Sequence, residues 1–336
     1  MAVYELVIEI GNSQCSIYKK DSGLVLKEST LIAFSKQGKR FIVKEVGNKA
    51  QEMLNKTSNS VWVESPIKDG VVVNSELAVL MLKAFINRVI PKSFLPPVIN
   101  AVLVTSCALT SEEKRAYELL LINSGVSVVW FVPSVISSLI GGGIDVKGSK
   151  ARLIVNIGAG VTEIAAVSNS TIIDGYAVEM GGNVINSAIC STIYDDQGVV
   201  ISDVVAEKIK VEIGSLFERD NATIEVSGFD ALTKAARNVT IYAKDLYPVI
   251  AIAYKKISDA IEIFLNAQSA DVCSDIASEG IYVCGGASKV TGLEMFLKRN
   301  LMLNINVLDD AENISILGGG QLISDKEHLS VIIENN

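Results

Sequence analysis

The chain has 336 residues, 49% of them hydrophobic, which supplies real cores for two lobes and rules out disorder by composition. Its net charge is −8 and no basic cluster exceeds the short run KQGKR at 36–40, which argues against nucleic acid as a partner. One histidine and five scattered cysteines without a CxxC pair leave nothing for a zinc centre or a histidine-based triad, and read as reduced thiols of a cytoplasmic protein.

The first apolar stretch has no basic region before it and is interrupted by Glu5 and Glu9, so it reads as strand and not as a leader. No apolar run reaches the ~18–20 residues of a spanning helix. Residues 3–10, 15–20 and 24–33 form a meander of three strands, split at Gly11 and at Asp21-Ser22-Gly23. A more polar insert, 34–66, ends at Pro66 and the turn Lys68-Asp69-Gly70. Leu77, Leu80, Met81, Ala84, Phe85 and Val89 give an apolar face to a helix over 75–89, stopped by Pro91, Pro96 and Pro97. Strand 99–106 follows, then a helix to Asn123 with Thr110 and Glu113 as a capping box and Gly125 as its stop. Residues 126–132 are strand again. This strand–helix–strand unit predicts a parallel, right-handed crossover.

The second half repeats the order. Residues 152–158, 161–168 and 170–178 read as three linked strands. The insert after them reads as helices at about 183–194, 202–217 and 230–238, with a strand near 222–227. A helix from Pro248, placed at its first position, runs to about Gln268. Strand 280–284, helix 291–300 and strand 303–307 complete a second crossover, so the chain reads as a duplicated α/β lobe.

Each lobe carries a glycine hairpin at the same place: Gly11-Asn12-Ser13-Gln14 and Gly158-Ala159-Gly160-Val161-Thr162. Without a Cβ such a turn lets backbone approach a ligand, and its successive N–H groups can form an anion site. Neither is a P-loop, because no Gly-Lys-Ser/Thr follows. Taken singly, each reads equally well as a plain tight turn; duplicated, they read as two clamps facing across a cleft on the phosphates of one nucleotide. Glu9 and Asn156 sit two residues before each turn, where an oxygen side chain could position a hydrated Mg²⁺. Gly285-Gly286-Ala287-Ser288 follows a strand and precedes a helix, which aims N–H groups at a ligand. Gly318-Gly319-Gly320 after the last strand fits either ligand contact or close packing of the final helix.

These four glycine segments, in this order, resemble the actin/Hsp70/sugar-kinase superfamily, and within it the MreB-like bacterial actins. The resemblance spans nearly the whole chain and is carried by VGNKAQEMLNKT (46–57), PIKDGVV (66–72), SDVVAEKIKVEIGS (202–215) and SDIASEGIYVCGGAS (274–288). It implies an actin-like (ribonuclease H-like) α/β fold of four subdomains around a central nucleotide cleft. Residues 1–33, 67–148 and 320–336 would form the core of lobe I, with 34–66 its insert. Residues 149–180 and 246–319 would form the core of lobe II, with 181–245 its insert. It further implies ATP or ADP with Mg²⁺, head-to-tail homopolymers paired as protofilaments, the inner face of the cell membrane, and cell-shape or wall-synthesis partners.

Carried onto this chain, Gly11, Asn12, Ser13 and Gln14 match the first phosphate turn, and Gly158, Ala159 and Gly160 the second. Glu207, Lys208, Ile209 and Lys210 match the segment that holds the nucleoside, and Gly285, Gly286, Ala287 and Ser288 the adenosine turn. Glu207, Lys210 and Gly214 share a helix face, which fits either a ligand contact or an ordinary exposed ion pair. Thr162 and Glu163 remain as candidate catalytic residues, and Glu9 and Asn156 as the metal side.

The departures bear on chemistry. Glu9 and Asn156 stand where the family usually has Asp, and Val161 where it has Thr. The acidic pair that the family places before the first lobe's proline, one member of which polarises the attacking water, falls on Phe131 and Val132. Neither can take a proton, and losing a general base removes on the order of 10²–10⁴-fold of rate. Slow or absent hydrolysis with binding retained is expected. Phe94 and Leu95, in a proline-bounded loop beside Lys92, match the region that inserts into lipid; tucking into the lobe is the other reading. The alternatives are an Hsp70-like chaperone or reactivase, for which no substrate-binding segment follows the last lobe, a small-molecule kinase, and a nucleotide-independent scaffold.

Overall fold

The expected duplication is present in the strand connectivity of a computed structural model, which describes residues 2–58, 60–91 and 93–335. The chain begins with β1 (Val3–Ile10), β2 (Gln14–Lys19) and β3 (Gly23–Ser29). The insert holds β4 (Ile32–Gln37), β5 (Arg40–Val46), α1 (Asn48–Glu52) and β6 (Trp62–Glu64), followed by the short ladder β7 (Ile67–Lys68) and β8 (Val71–Val72). Then come α2 (Ser75–Val89), β9 (Val98–Thr105), α3 (Ser111–Asn123), β10 (Val128–Pro133) and α4 (Ser134–Gly141).

The second half opens with β11 (Arg152–Ile157), β12 (Thr162–Ser168) and β13 (Thr171–Val178). Its insert holds α5 (Gly182–Gln197), β14 (Val199–Val200), α6 (Asp203–Ile213), β15 (Thr223–Asp230) and β16 (Ala236–Tyr242). It continues with α7 (Ala243–Ala267), α8 (Ala270–Glu279), β17 (Ile281–Cys284), a 3₁₀ turn at Gly286–Lys289, α9 (Leu293–Leu301) and β18 (Ile305–Val307). The last helices are α10 (Ile314–Leu322) and α11 (Lys326–Asn335).

The first sheet has the order β10-β9-β1-β2-β3, and the second, read from its far edge, β18-β17-β11-β12-β13. Strand for strand these are the same topology, with the β9 and β17 crossovers parallel to β1 and β11. The chain packs as two compact units: residues 1–149, 167–177 and 313–336, and residues 150–166 and 178–312. In the first unit Ile99, Ala101 and Leu103 on one face of β9 meet Leu77, Met81, Leu82 and Phe85 of α2 in one apolar core. Asn74 caps α2 by accepting from the Leu77 N–H, and the Thr110/Glu113 capping box of α3 is formed.

Several expectations are corrected. Residues 230–238 are not helical: Ala236–Tyr242 pairs antiparallel with Thr223–Asp230, and cross-strand pairing overrides the helix propensity of Ala231, Leu232 and Ala235. The long helix starts at Ala243, not at Pro248, which sits in its second turn. The glycines 318–320 lie within a helix, α10, and of the two readings close packing holds, because a side chain there would collide with the elements the helix covers. A Cβ on Gly318 would lie 1.8 Å from the Ser137 carbonyl of α4, and one on Gly319 would lie 2.6 Å from Val7 of β1.

Candidate functional site

In the first unit β1 and β2 are joined by Gly11-Asn12-Ser13, closed by the Gly11 N–H on the Gln14 carbonyl at 2.8 Å. Asn12 is turned toward the Lys68-Asp69-Gly70 turn: its Oδ1 accepts from the Gly70 N–H at 2.9 Å and its Nδ2 donates to Asp69 at 3.2 Å. Thr30 donates to the Gly11 carbonyl. These bonds fix the turn's shape and consume the Asn12 amide. Glu9 accepts a 2.5 Å bond from the Ser315 hydroxyl, and the Ser315 carbonyl accepts from the Ser137 hydroxyl at 2.6 Å. The Glu9 carboxylate is thus held by two helices, α4 and α10, through serine. Among the described residues no group of three or more acids, cysteines or histidines forms a metal cage.

The second unit's hairpin closes the same way, with the Gly158 N–H on the Val161 carbonyl at 2.9 Å. Asn156 donates to Glu163 at 3.1 Å, and Thr162 donates to the Met180 carbonyl at 2.6 Å. Both Thr162 and Glu163 are buried. The start of α5 docks on this turn: the Gly182 and Asn183 N–H groups reach the Gly158 and Ala159 carbonyls at 3.0 and 2.8 Å. A Cβ on Gly181 would lie 2.6 Å from the Ala159 carbonyl, so backbone meets backbone there.

Gly182 is the meeting point of three segments. A Cβ added to it would lie 2.7 Å from Lys210 Nζ, 3.8 Å from the Ala159 Cα and 3.9 Å from the Ala287 Cβ. Lys210 donates to the Gly182 carbonyl at 3.1 Å and pairs with Glu207 at 2.6 Å. Asn186 of α5 donates to the same Glu207 oxygen at 2.7 Å, while its own Oδ1 is buried with no hydrogen bond. Tyr254 of α7 donates to the Ala287 carbonyl at 2.5 Å; burial, then the Glu207 charge, pushes its phenol well above the ordinary range. The Gly158 hairpin, the Glu207/Lys210 face and the Ala287 turn are therefore one cluster.

The structure divides the sequence-predicted residues. Lys208 pairs with Glu212 at the surface and Ile209 is fully buried, so neither joins Glu207 and Lys210 at Gly182. Gly214 ends α6, where a Cβ would lie 2.3 Å from the Lys210 carbonyl, and it takes no further part. Gly285 has φ +90° and packs on β11, with the Ile157 carbonyl 2.3 Å from a Cβ position, whereas a Cβ on Gly286 would make only an ordinary contact, 3.9 Å from the Glu312 side chain. Ser288 is buried and bonds back to the Gly285 carbonyl. Val132 is fully buried and Phe131 packs against the first unit's core. Phe94 is fully exposed and Leu95 is 57% exposed; Lys92 lies outside the described residues. Sequence reading missed Gly181-Gly182 and Asn186; the Gly-Gly pair directly before a helix was the available signal.

A family model described as MreB/Mbl protein matches residues 3–331. The cell shape-determining protein MreB of Escherichia coli is 27% identical over 95% of this chain and 93% of its own length. The cell shape-determining protein Mbl of Bacillus subtilis is 25% identical over 98% of both. Among solved structures, MreB5 of Spiroplasma citri bound to AMPPNP has a TM-score of 0.90 at 23% identity, covering 98% of this chain and 99% of its own. A MamK double helical filament has a TM-score of 0.79 at 18% identity, covering 96% and 99%. These likenesses show the actin-like fold.

Proposed function

The chain belongs to the MreB/Mbl family, and from that premise we propose that it is a filament-forming actin homologue that binds ATP or ADP. Its work is cell-shape or wall organisation on cytoplasmic filaments at the inner face of the cell membrane. The observation that carries nucleotide binding is the Gly182 cluster. The absent side chain of Gly182 lets the Lys210 ammonium lie over its backbone, and Ala159 and Ala287 border the same place with small side chains. Lys210 and the N–H groups of Ala159 and Gly160 suit phosphate, and the remaining Glu207 oxygen suits a ribose hydroxyl. The buried, unpartnered Asn186 Oδ1 offers an acceptor to the same group. The first unit's turn offers the backbone amides of Asn12 and Ser13 to phosphate.

Mg²⁺ commonly takes only one or two carboxylates beside phosphate oxygens, so the Glu9 carboxylate of the first unit, and separately the neutral Asn156 oxygen of the second, are the donors each unit offers it without a cage of acids. Bound, the ion would neutralise phosphate charge. Hydrolysis is slow or absent, because hydrocarbon at Phe131 and Val132 cannot orient a water. Relatives in this fold are named as bound to AMPPNP and as a double helical filament, which supports nucleotide binding and homopolymers here. Phe94 and Leu95 supply the apolar contact with lipid.

Sedimentation with ATP, ADP and no nucleotide, together with fluorescent-nucleotide titration, tests the reading. Polymer in the pellet and saturable binding weakened by Gly182→Ala are expected. A chain that neither pellets under any salt, nucleotide or lipid condition nor binds nucleotide at millimolar concentration would overturn it.

A further inference from the structure

Beneath α11, the first unit has a half-open pocket of about 190 Å³. One wall is the face of α11 that carries Lys326, Leu329 and Ile333, and the other is the sheet, through Val102 of β9 and its register partner Trp130 of β10. Two residues back along β9, Asn100 lies level with Glu5 of β1 and lines the same space. Its Oδ1 is buried and accepts no hydrogen bond. A buried acceptor without a donor is unfavourable in the empty protein, and a ligand that brings the donor recovers that loss.

The nearby carboxylate is already paired through both of its oxygens. Glu5 pairs with Lys326 at 3.0 Å through one carboxylate oxygen and with Lys20 at 2.5 Å through the other. A charged ligand would have to compete with those pairs, whereas a neutral one leaves them intact. Size sets the rest. A cavity of about 150 Å³ lined by apolar side chains holds benzene, so this one holds a ring with a substituent.

We propose that the cavity is a binding site for a small neutral aromatic molecule bearing one O–H or N–H donor, of the phenol or indole class. The donor bonds Asn100 Oδ1, and the ring lies between Trp130 and the apolar face of α11. Nothing in this site touches the nucleotide-binding residues, so the inference stands independently of the proposed function.

The test uses the full chain in a Trp62→Phe background, so that the remaining tryptophan, Trp130, reports alone. Phenol, indole, benzene and benzoate are titrated while Trp130 emission and the methyl resonances of Leu329 and Ile333 are followed. Phenol and indole should saturate, with ring-to-methyl NOEs. Benzene should bind about tenfold more weakly, as the loss of one hydrogen bond requires, and benzoate should not bind. Asn100→Leu should bring phenol down to the benzene level while benzene binding persists. Should that variant not fold, Ile333→Trp, which fills the cavity from the helix side, should abolish phenol binding. Failure of phenol and indole to saturate, benzoate binding as tightly as phenol, or unchanged phenol affinity in either variant would overturn the proposal.

Discussion

Replacing Gly318 by alanine should destabilise the first unit, although it removes a glycine from the middle of a helix. Propensity alone predicts a gain of about 1 kcal/mol. The structure reverses the sign. The new Cβ would lie 1.8 Å from the Ser137 carbonyl and 2.8 Å from the Gly141 amide nitrogen, where ordinary contact begins at 3.4 Å. Both obstacles are backbone atoms of α4, so α10 must retreat by more than an ångström. Overpacking of this kind costs about 1–3 kcal/mol, and retreat also breaks the Ser137–Ser315 hydrogen bond, worth about 1 kcal/mol. Set against the propensity gain, the net loss is about 1–3 kcal/mol, a fall of roughly 3–10 °C in Tm for a unit of this size. Thermal and urea denaturation measure it. Gly141→Ala meets the same interface from the other side, 2.2 Å from the Ile314 carbonyl, so the double variant should lose less than the sum. A Gly318→Ala protein as stable as the parent, or more so, would refute the reasoning.

Gly182→Ala displaces only the mobile end of Lys210, so stability should change by less than about 1 kcal/mol while nucleotide affinity falls about tenfold, read by titration with a fluorescent analogue. Phe94→Ser with Leu95→Ser should leave thermal stability unchanged and reduce pelleting with lipid vesicles on the order of 100-fold, since two apolar side chains no longer leave water; equal pelleting would count against the lipid contact. Burial, with Lys147 nearby, lowers the pKa of His328 from its ordinary 6.5, and its ring meets the Ser170 hydroxyl at 3.0 Å. The unfolded imidazole therefore takes up its proton first, so the stability this residue supplies is full above about pH 6.5 and is lost as pH falls toward the folded value. His328→Gln should flatten the fall in urea midpoint between pH 7 and 5, and parallel profiles would exclude the effect.

The duplicated order was legible because each lobe writes it in strong signals: hydrophobic runs, a capping box at Thr110, prolines after Val89 and Phe131-Val132. What was not legible depended on partners distant in sequence. α4, with its six residues from Ser134 to Leu139 all buried, shows no polar face for periodicity to find. α10 carries three glycines, which penalise a helix, and only the nearness of Ser137, Val7 and Tyr18 explains them. At the site, backbone motifs announced themselves, whereas Asn186 and Gly182 gain meaning only when α5 is laid against the Gly158 turn.

The two hairpins also show what a residue-by-residue comparison overlooks. Asn156 in place of an acid suggests that the second hairpin has lost its carboxylate. Yet in the first hairpin Glu9 pairs across the ladder with Ser16, seven residues on, and in the second Asn156 bonds Glu163, also seven residues on. Both turns close with the same glycine N–H bond, so these positions correspond. Each hairpin therefore keeps one carboxylate at the base of its turn, carried by the first strand in one unit and by the second strand in the other. Glu163 lies 3.1 Å from the Asn156 amide and is buried, so its charge is delivered through that amide and not presented directly. Asn156→Asp would place two carboxylates at one buried site and raise the pKa of one of them. Restoring the acid at 156 should therefore destabilise the second unit at neutral pH, and Glu163→Gln in the same chain should relieve the loss; denaturation of the single and double variants measures the coupling.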